Sequence, residues 1–111
     1  MRIDFSGLPE AVVPGFKGGQ GQVHIRKFED PAMGGIVRIT LLPGSSIGLH
    51  THGGNCEVVY VLSGSGKCMD DGAEYTLSPG SVTYCPEGRS HSIVNTGDAP
   101  LVLFGVLPNG R

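Results

Sequence analysis

The chain has 111 residues, with eight basic and ten acidic side chains, a formal net charge of −2, 19 glycines and eight prolines. That length sets one domain with room for a real core. The scattered, balanced charge excludes a phosphate-neutralising surface and so nucleic acid as a partner, and no apolar run approaches the roughly 18 residues of a membrane helix.

The opening MRIDFSGLPE carries charges where a signal peptide would place its apolar core, so the expected compartment is the cytoplasm. Residues 1–21 read as an arm, either a loop or an added edge strand, with LPEAVV forming one helical turn at most. From Gln22 onward nothing sustains a helical period. Short β-branched runs recur instead, at 22–28, 36–42, 58–62, 75–77, 81–85, 91–94 and 101–107. Turn signals separate them: LPG at 42–44, DDG at 70–72, SPG at 78–80, PEG at 86–88 and NTGD at 95–98. Asp71-Gly72 supplies the centre of a tight hairpin. Evenly punctuated short strands over 22–111 predict an all-β barrel or sandwich. Cys56, Cys68 and Cys85 cannot all pair within one chain and show no C-x-x-C, so each is expected as a small packing residue.

The chemistry-bearing residues cluster. GSSIGLHTHGGNCE places His50 and His52 two apart, with Glu57 after a permissive GGNC loop. On an extended strand both imidazoles leave the same face, with Cα atoms about 6.5 Å apart. A third histidine, His91, follows the PEG turn. Three imidazoles and a carboxylate suit a borderline divalent metal. An acid/base pair and a solvated polar loop are the alternatives, and a His-x-His dipeptide alone does not separate them.

The frame around these residues does. Gly44, His50, His52, Glu57 and Gly64 fit G-x5-H-x-H-x3,4-E-x6-G, and Gly80, Pro86, Gly88, His91 and Asn95 fit G-x5-P-x-G-x2-H-x3-N. At 44–64 and 80–95 the chain thus resembles the two motifs of the cupins, specifically the small single-domain microbial ones. The resemblance implies a double-stranded β-helix, or jelly-roll, barrel. It implies His50, His52, Glu57 and His91 as ligands of one divalent transition metal ion (manganese, iron, nickel, cobalt, copper or zinc).

It further implies a site acting on a small oxygenated metabolite, an organic acid or sugar derivative, as a dioxygenase, decarboxylase or isomerase-type enzyme. A non-catalytic, metal-dependent binding or sensing module is the alternative. With Glu57 inward, Val59 and Val61 follow it, and Ile93 follows His91. Val58, Tyr60 and Leu62 then face outward, an apolar row consistent with the homodimers common in the family. The partners expected are a small-molecule ligand and a second copy of the chain.

No catalytic group beyond the ligands is identified. Arg38 is expected on an exposed strand face, with a substrate-anchoring role as the alternative. Arg89, Glu74, Glu87 and His24 read as solvated residues, with a place at the pocket mouth as the alternative for Arg89. Tyr84 reads as a core aromatic, with a phenol supplied to the pocket as its alternative, and Asn95 as a turn residue rather than a ligand.

Overall fold

The structure is a computed structural model describing residues 1–110. Ten strands form two antiparallel sheets. One takes the order β1 (Ala11–Pro14), β2 (Gln22–Asp30), β3 (Gly34–Leu41), β10 (Leu101–Pro108), β5 (Glu57–Ser63), β8 (Val82–Cys85). The other takes the order β4 (Ser46–Thr51), β9 (Ser90–Asn95), β6 (Gly66–Asp70), β7 (Ala73–Leu77). This is the jelly-roll expected from the motifs.

Period-two alternation decides which side chains meet between the sheets. Val37, Ile39 and Leu41 of β3, Val59 and Val61 of β5, Ile93 of β9, and Leu101 and Leu103 of β10 are buried together. Each such aliphatic side chain contributes roughly 1.5–3 kcal/mol through the area it removes from water. Val58, Tyr60 and Leu62 alternate with Val59 and Val61 and are exposed, as the pattern requires. Cys68 and Cys85 are buried, Cys56 is half-buried, and all three are free.

The β6–β7 hairpin turns on Asp71 (φ 51°) and Gly72 (φ 90°), with Asp70 opposite Ala73. Two successive positive φ values suit the right-handed twist of the flanking strands, and Asp-Gly adopts them readily. Strands β4 and β6 lie outside the β-branched runs. Both are glycine-bearing, polar segments organised by pairing with β9.

The segment around LPEAVV corrects the helical reading. Ala11–Pro14 is extended and pairs with the edge of β2, Val12 opposite His24 and Val13 opposite Val23. β-branched residues suit a pleated edge, and Pro14 stands at its end, where a missing N–H is tolerated. A 3-10 turn, Phe16–Gly18, then crosses β4. Chains touch there: an added Cβ on Gly48 would lie 2.1 Å from the Lys17 carbonyl oxygen, and one on Gly19 2.2 Å from that of Ser46.

Asn95 anchors the end of the barrel away from the histidines. Its buried amide donates to the Leu41 and Ala99 carbonyls and accepts from the Gly97 N–H. That is the turn role expected of it.

Candidate metal centre

His50, His52, Glu57 and His91 converge at one end of the barrel, with one potential ligand atom from each lying within 4.8 Å of all the others. Three local devices aim them. The first is a bulge in β4. Ile47 pairs with Ile93 and His50 with His91, so β4 advances three residues while β9 advances two. Simple alternation would put Ile47 and His50 on opposite faces; the extra residue returns His50 to the interior side and leaves Leu49 exposed.

The second device is the turn before β9. Gly88, at φ 85°, donates its N–H to the His52 carbonyl at 2.7 Å, and His52 N–H donates to the Arg89 carbonyl at 3.2 Å. This short ladder holds His52 beside the strand that carries His91. Glu87, solvated in the sequence reading, accepts from Gly54 N–H at 2.7 Å and pins the loop between the ligand-bearing strands. The third is Gly105 in β10, opposite Val59. A Cβ there would press on Val37 Cγ2 at 3.0 Å and touch Glu57 Oε2 at 3.4 Å, so a bare backbone relieves the packing beside the carboxylate.

The donor atoms match an ion's needs. His52 Nε2 and His91 Nε2 are 3.0 Å apart, and His91 Nε2 and His50 Nε2 are 3.1 Å apart. Glu57 Oε1 lies 3.2 Å from His52 Nε2 and 3.0 Å from His91 Nε2. With bonds of about 2.1 Å, adjacent ligands of a six-coordinate ion stand about 3.0 Å apart, against about 3.4 Å on a tetrahedron. The observed separations fall within that range.

The tautomers agree. His50 Nδ1 lies 2.7 Å from the Gly48 carbonyl, an acceptor only, and so carries the proton. His52 Nδ1 lies 3.0 Å from the Asn55 side-chain oxygen and donates to it. With Nδ1 engaged from behind, each ring turns its Nε2 toward the centre. Burial holds the His50 pKa below its ordinary value, with His91 and His52 adding to the effect against the Gly48 carbonyl and Glu57. The four residues thus form a cluster capable of holding a metal ion.

A cavity of about 340 Å³ opens beside the cluster, walled by Ile25, Val37, Ile39, Ile47 and Leu107. Arg38 does not reach it. It lies on the outer face of β3, opposite Arg26 of β2 and beside Thr40 and His24. Arg89 pairs with Asp71 at 3.0 Å, Glu74 with Lys67 at 3.2 Å and His24 with Glu10 at 2.9 Å, all outside the cavity. Tyr84 corrects the core reading: it alternates outward from Cys85 and is 56% exposed. What the sequence reading missed are Lys17 and Lys27, both lining the cavity. The period-two series Val23, Ile25, Lys27 was the available signal for the second; nothing local marked the first.

Residues 37–107 match the model of the Cupin domain. The chain belongs to the cupin family. This cupin is 36% identical over 112 residues to an oxalate-binding protein of Thermotoga maritima, covering 96% of its own chain and 93% of that protein. The crystal structure of a protein described as a predicted oxalate decarboxylase from Thermotoga maritima superposes with a TM-score of 0.92 at 32% identity, covering 98% of this cupin and 99% of that chain. Germin-like protein 1 of Brassica napus is 36% identical over 109 residues, which span 48% of its length.

Proposed function

We propose that this cupin holds one divalent transition metal ion through His50, His52, Glu57 and His91 and binds a small oxygenated acid beside it. The convergence of three Nε2 atoms and a carboxylate oxygen at 3.0–3.2 Å, with two tautomers fixed from behind, carries the reading. The Thermotoga relatives, named for oxalate, support an organic acid over a sugar.

A bound ion supplies a Lewis-acid centre with positions left for oxygen donors of the ligand. The protein's own groups do the rest. His50 and His52, whose Nδ1 atoms donate to Gly48 and Asn55, turn Nε2 toward the ion, Glu57 contributes the balancing negative charge, and the aliphatic wall sheds water from the ligand's body. Among the described residues Glu57 is the one carboxylate lining the cavity. No second carboxyl therefore stands ready to donate a proton, and this supports binding over decarboxylation.

The test is metal analysis of untagged protein purified without chelator, followed by calorimetric titration of the loaded protein with oxalate. About one equivalent of metal and saturable oxalate binding are expected, with no release of carbon dioxide or formate. Release of either would install the enzyme reading on the same site. Absence of metal after reconstitution with each candidate ion would remove both.

Among the described residues no helix is long and apolar enough to cross a membrane. Three free cysteines support a reducing compartment, the cytoplasm. The exposed apolar row of β5 supports a homodimer.

A further inference from the structure

The metal cavity holds two cations that the four-residue cluster does not use. We propose that Lys17 and Lys27 form an anion clamp in the metal cavity, so that the ligand is a short-chain acid carrying a second carboxylate beyond the end that meets the metal. The proposal rests on the acid-binding reading above and names which acids fit.

Lys27 stands where the strand pattern calls for an apolar residue. Val23, Ile25 and Lys27 share the inner face of β2; Val23 is fully buried and Ile25 packs against the core. The next residue on that face, Glu29, holds the Lys27 ammonium at 2.9 Å, with the two side chains 50% and 70% exposed. An exposed pair of this kind contributes about 0–1 kcal/mol and exchanges readily for a better-placed anion.

Lys17 arrives by another route. The close contacts of Gly19 and Gly48 lay the arm across β4, and Gln20 N–H donates to Ser46 Oγ at 2.8 Å. Lys17 itself sits at φ 54°, ψ 29°, a left-handed conformation that few non-glycine residues adopt. Such strain gathers at functional sites, where surrounding structure holds it in place. Among the described residues Lys17 has no carboxylate partner; its ammonium lies 5.6 Å from the Phe16 ring centroid.

Charge and size then define the ligand. Lys17, Lys27 and Glu57 line the cavity and Glu29 is paired with Lys27, so these charges balance until a divalent ion adds two positive ones. A neutral sugar has no use for that excess, whereas a dianion does. The cavity of about 340 Å³ exceeds the needs of a two-carbon diacid. The aliphatic wall of Ile25, Val37, Ile39, Ile47 and Leu107 fits a short hydrocarbon body. The class is a 2-oxo or 2-hydroxy acid with a second carboxylate a few carbons away.

The experiment compares 2-oxoglutarate with 2-oxobutyrate by calorimetry on metal-loaded protein, since the two share a chelating head and differ in the tail carboxylate. Wild type should prefer 2-oxoglutarate by about tenfold or more, the scale of one well-placed charge pair. The preference should weaken with added salt. Lys17→Gln with Lys27→Gln should bring the ratio to about one, with metal content and melting temperature unchanged because both side chains are exposed. Lys17→Arg with Lys27→Arg should keep the preference. A wild type indifferent to the tail carboxylate, or a double glutamine variant that retains the preference, would overturn the clamp while leaving the metal-and-acid reading standing. If the loaded wild type binds neither these acids nor oxalate, both readings fall together.

Discussion

The side-chain oxygen of Asn55 lies 3.0 Å from Nδ1 of His52, while Nε2 of the same ring lies 3.2 Å from Glu57 Oε1. Asn55 thus fixes from behind which nitrogen His52 offers to an ion. Removing such an outer partner commonly weakens metal affinity by about 10–100-fold. Asn55→Ala should therefore lower metal affinity at least about tenfold in a chelator competition. Asn55→Asp, which keeps an acceptor, should retain it. Equal affinity in all three proteins would mean the contact orients nothing.

Thr83 offers a test of stability away from the site. Its hydroxyl is buried without a hydrogen-bond partner on the inner face of β8, opposite Val59. An unsatisfied buried hydroxyl costs about 1–3 kcal/mol, and an apolar group of the same shape avoids that cost. Thr83→Val should raise unfolding stability by about 1 kcal/mol in denaturant melts. A loss of stability would show that the hydroxyl is satisfied.

Cys68 predicts a pH dependence. Burial first, then Asp70, Cys85 and Glu57, push its thiol from 9.0 up to about 11. The folded chain therefore keeps a proton that the unfolded chain releases above about pH 9. Stability is full below that pH and falls as pH climbs toward 11, by an amount on the order of 2 kcal/mol. Cys68→Ala should flatten this alkaline limb while costing about 1–2 kcal/mol at neutral pH for the cavity it leaves. At pH 8 an alkylating reagent should reach half-buried Cys56 before Cys68 or Cys85.

The outward row on β5 predicts assembly. Tyr60 and Leu62 are each 44% exposed, and neighbouring β8 adds Val82 and Tyr84. If a second copy covers this face, sedimentation should find a dimer at micromolar concentration, and Tyr60→Glu should shift it toward monomer. A monomeric wild type would remove the idea.

The sequence revealed most where residue type and spacing both carry meaning. Glycines and Pro-Gly pairs located the turns, and the alternation of Glu57, Val59 and Val61 against Val58, Tyr60 and Leu62 named the inner face of β5. The four-residue cluster was legible because its frame spans two motifs. Lys17 was not, since its place depends on a backbone contact with Gly48, distant in sequence, and no local pattern records such a contact. The β4 bulge was equally silent: Ile47 and His50 sit at odd spacing, and only pairing with β9 shows how both turn inward. Tyr84 misled because an aromatic in a β-branched run suits either face of a strand.

The cluster also draws on both sheets. His50 and His91 come from the four-stranded sheet and Glu57 from the six-stranded one. Along β5 from Glu57 to Val61, and along β9 from His91 to Asn95, the material between the layers changes from polar donors to hydrocarbon closed by an amide. Once an ion sits among those donors, it becomes a clasp on a book whose spine is grease. Heat must break the spine, whereas a chelator need only undo the clasp, so the two would open the same covers from opposite edges.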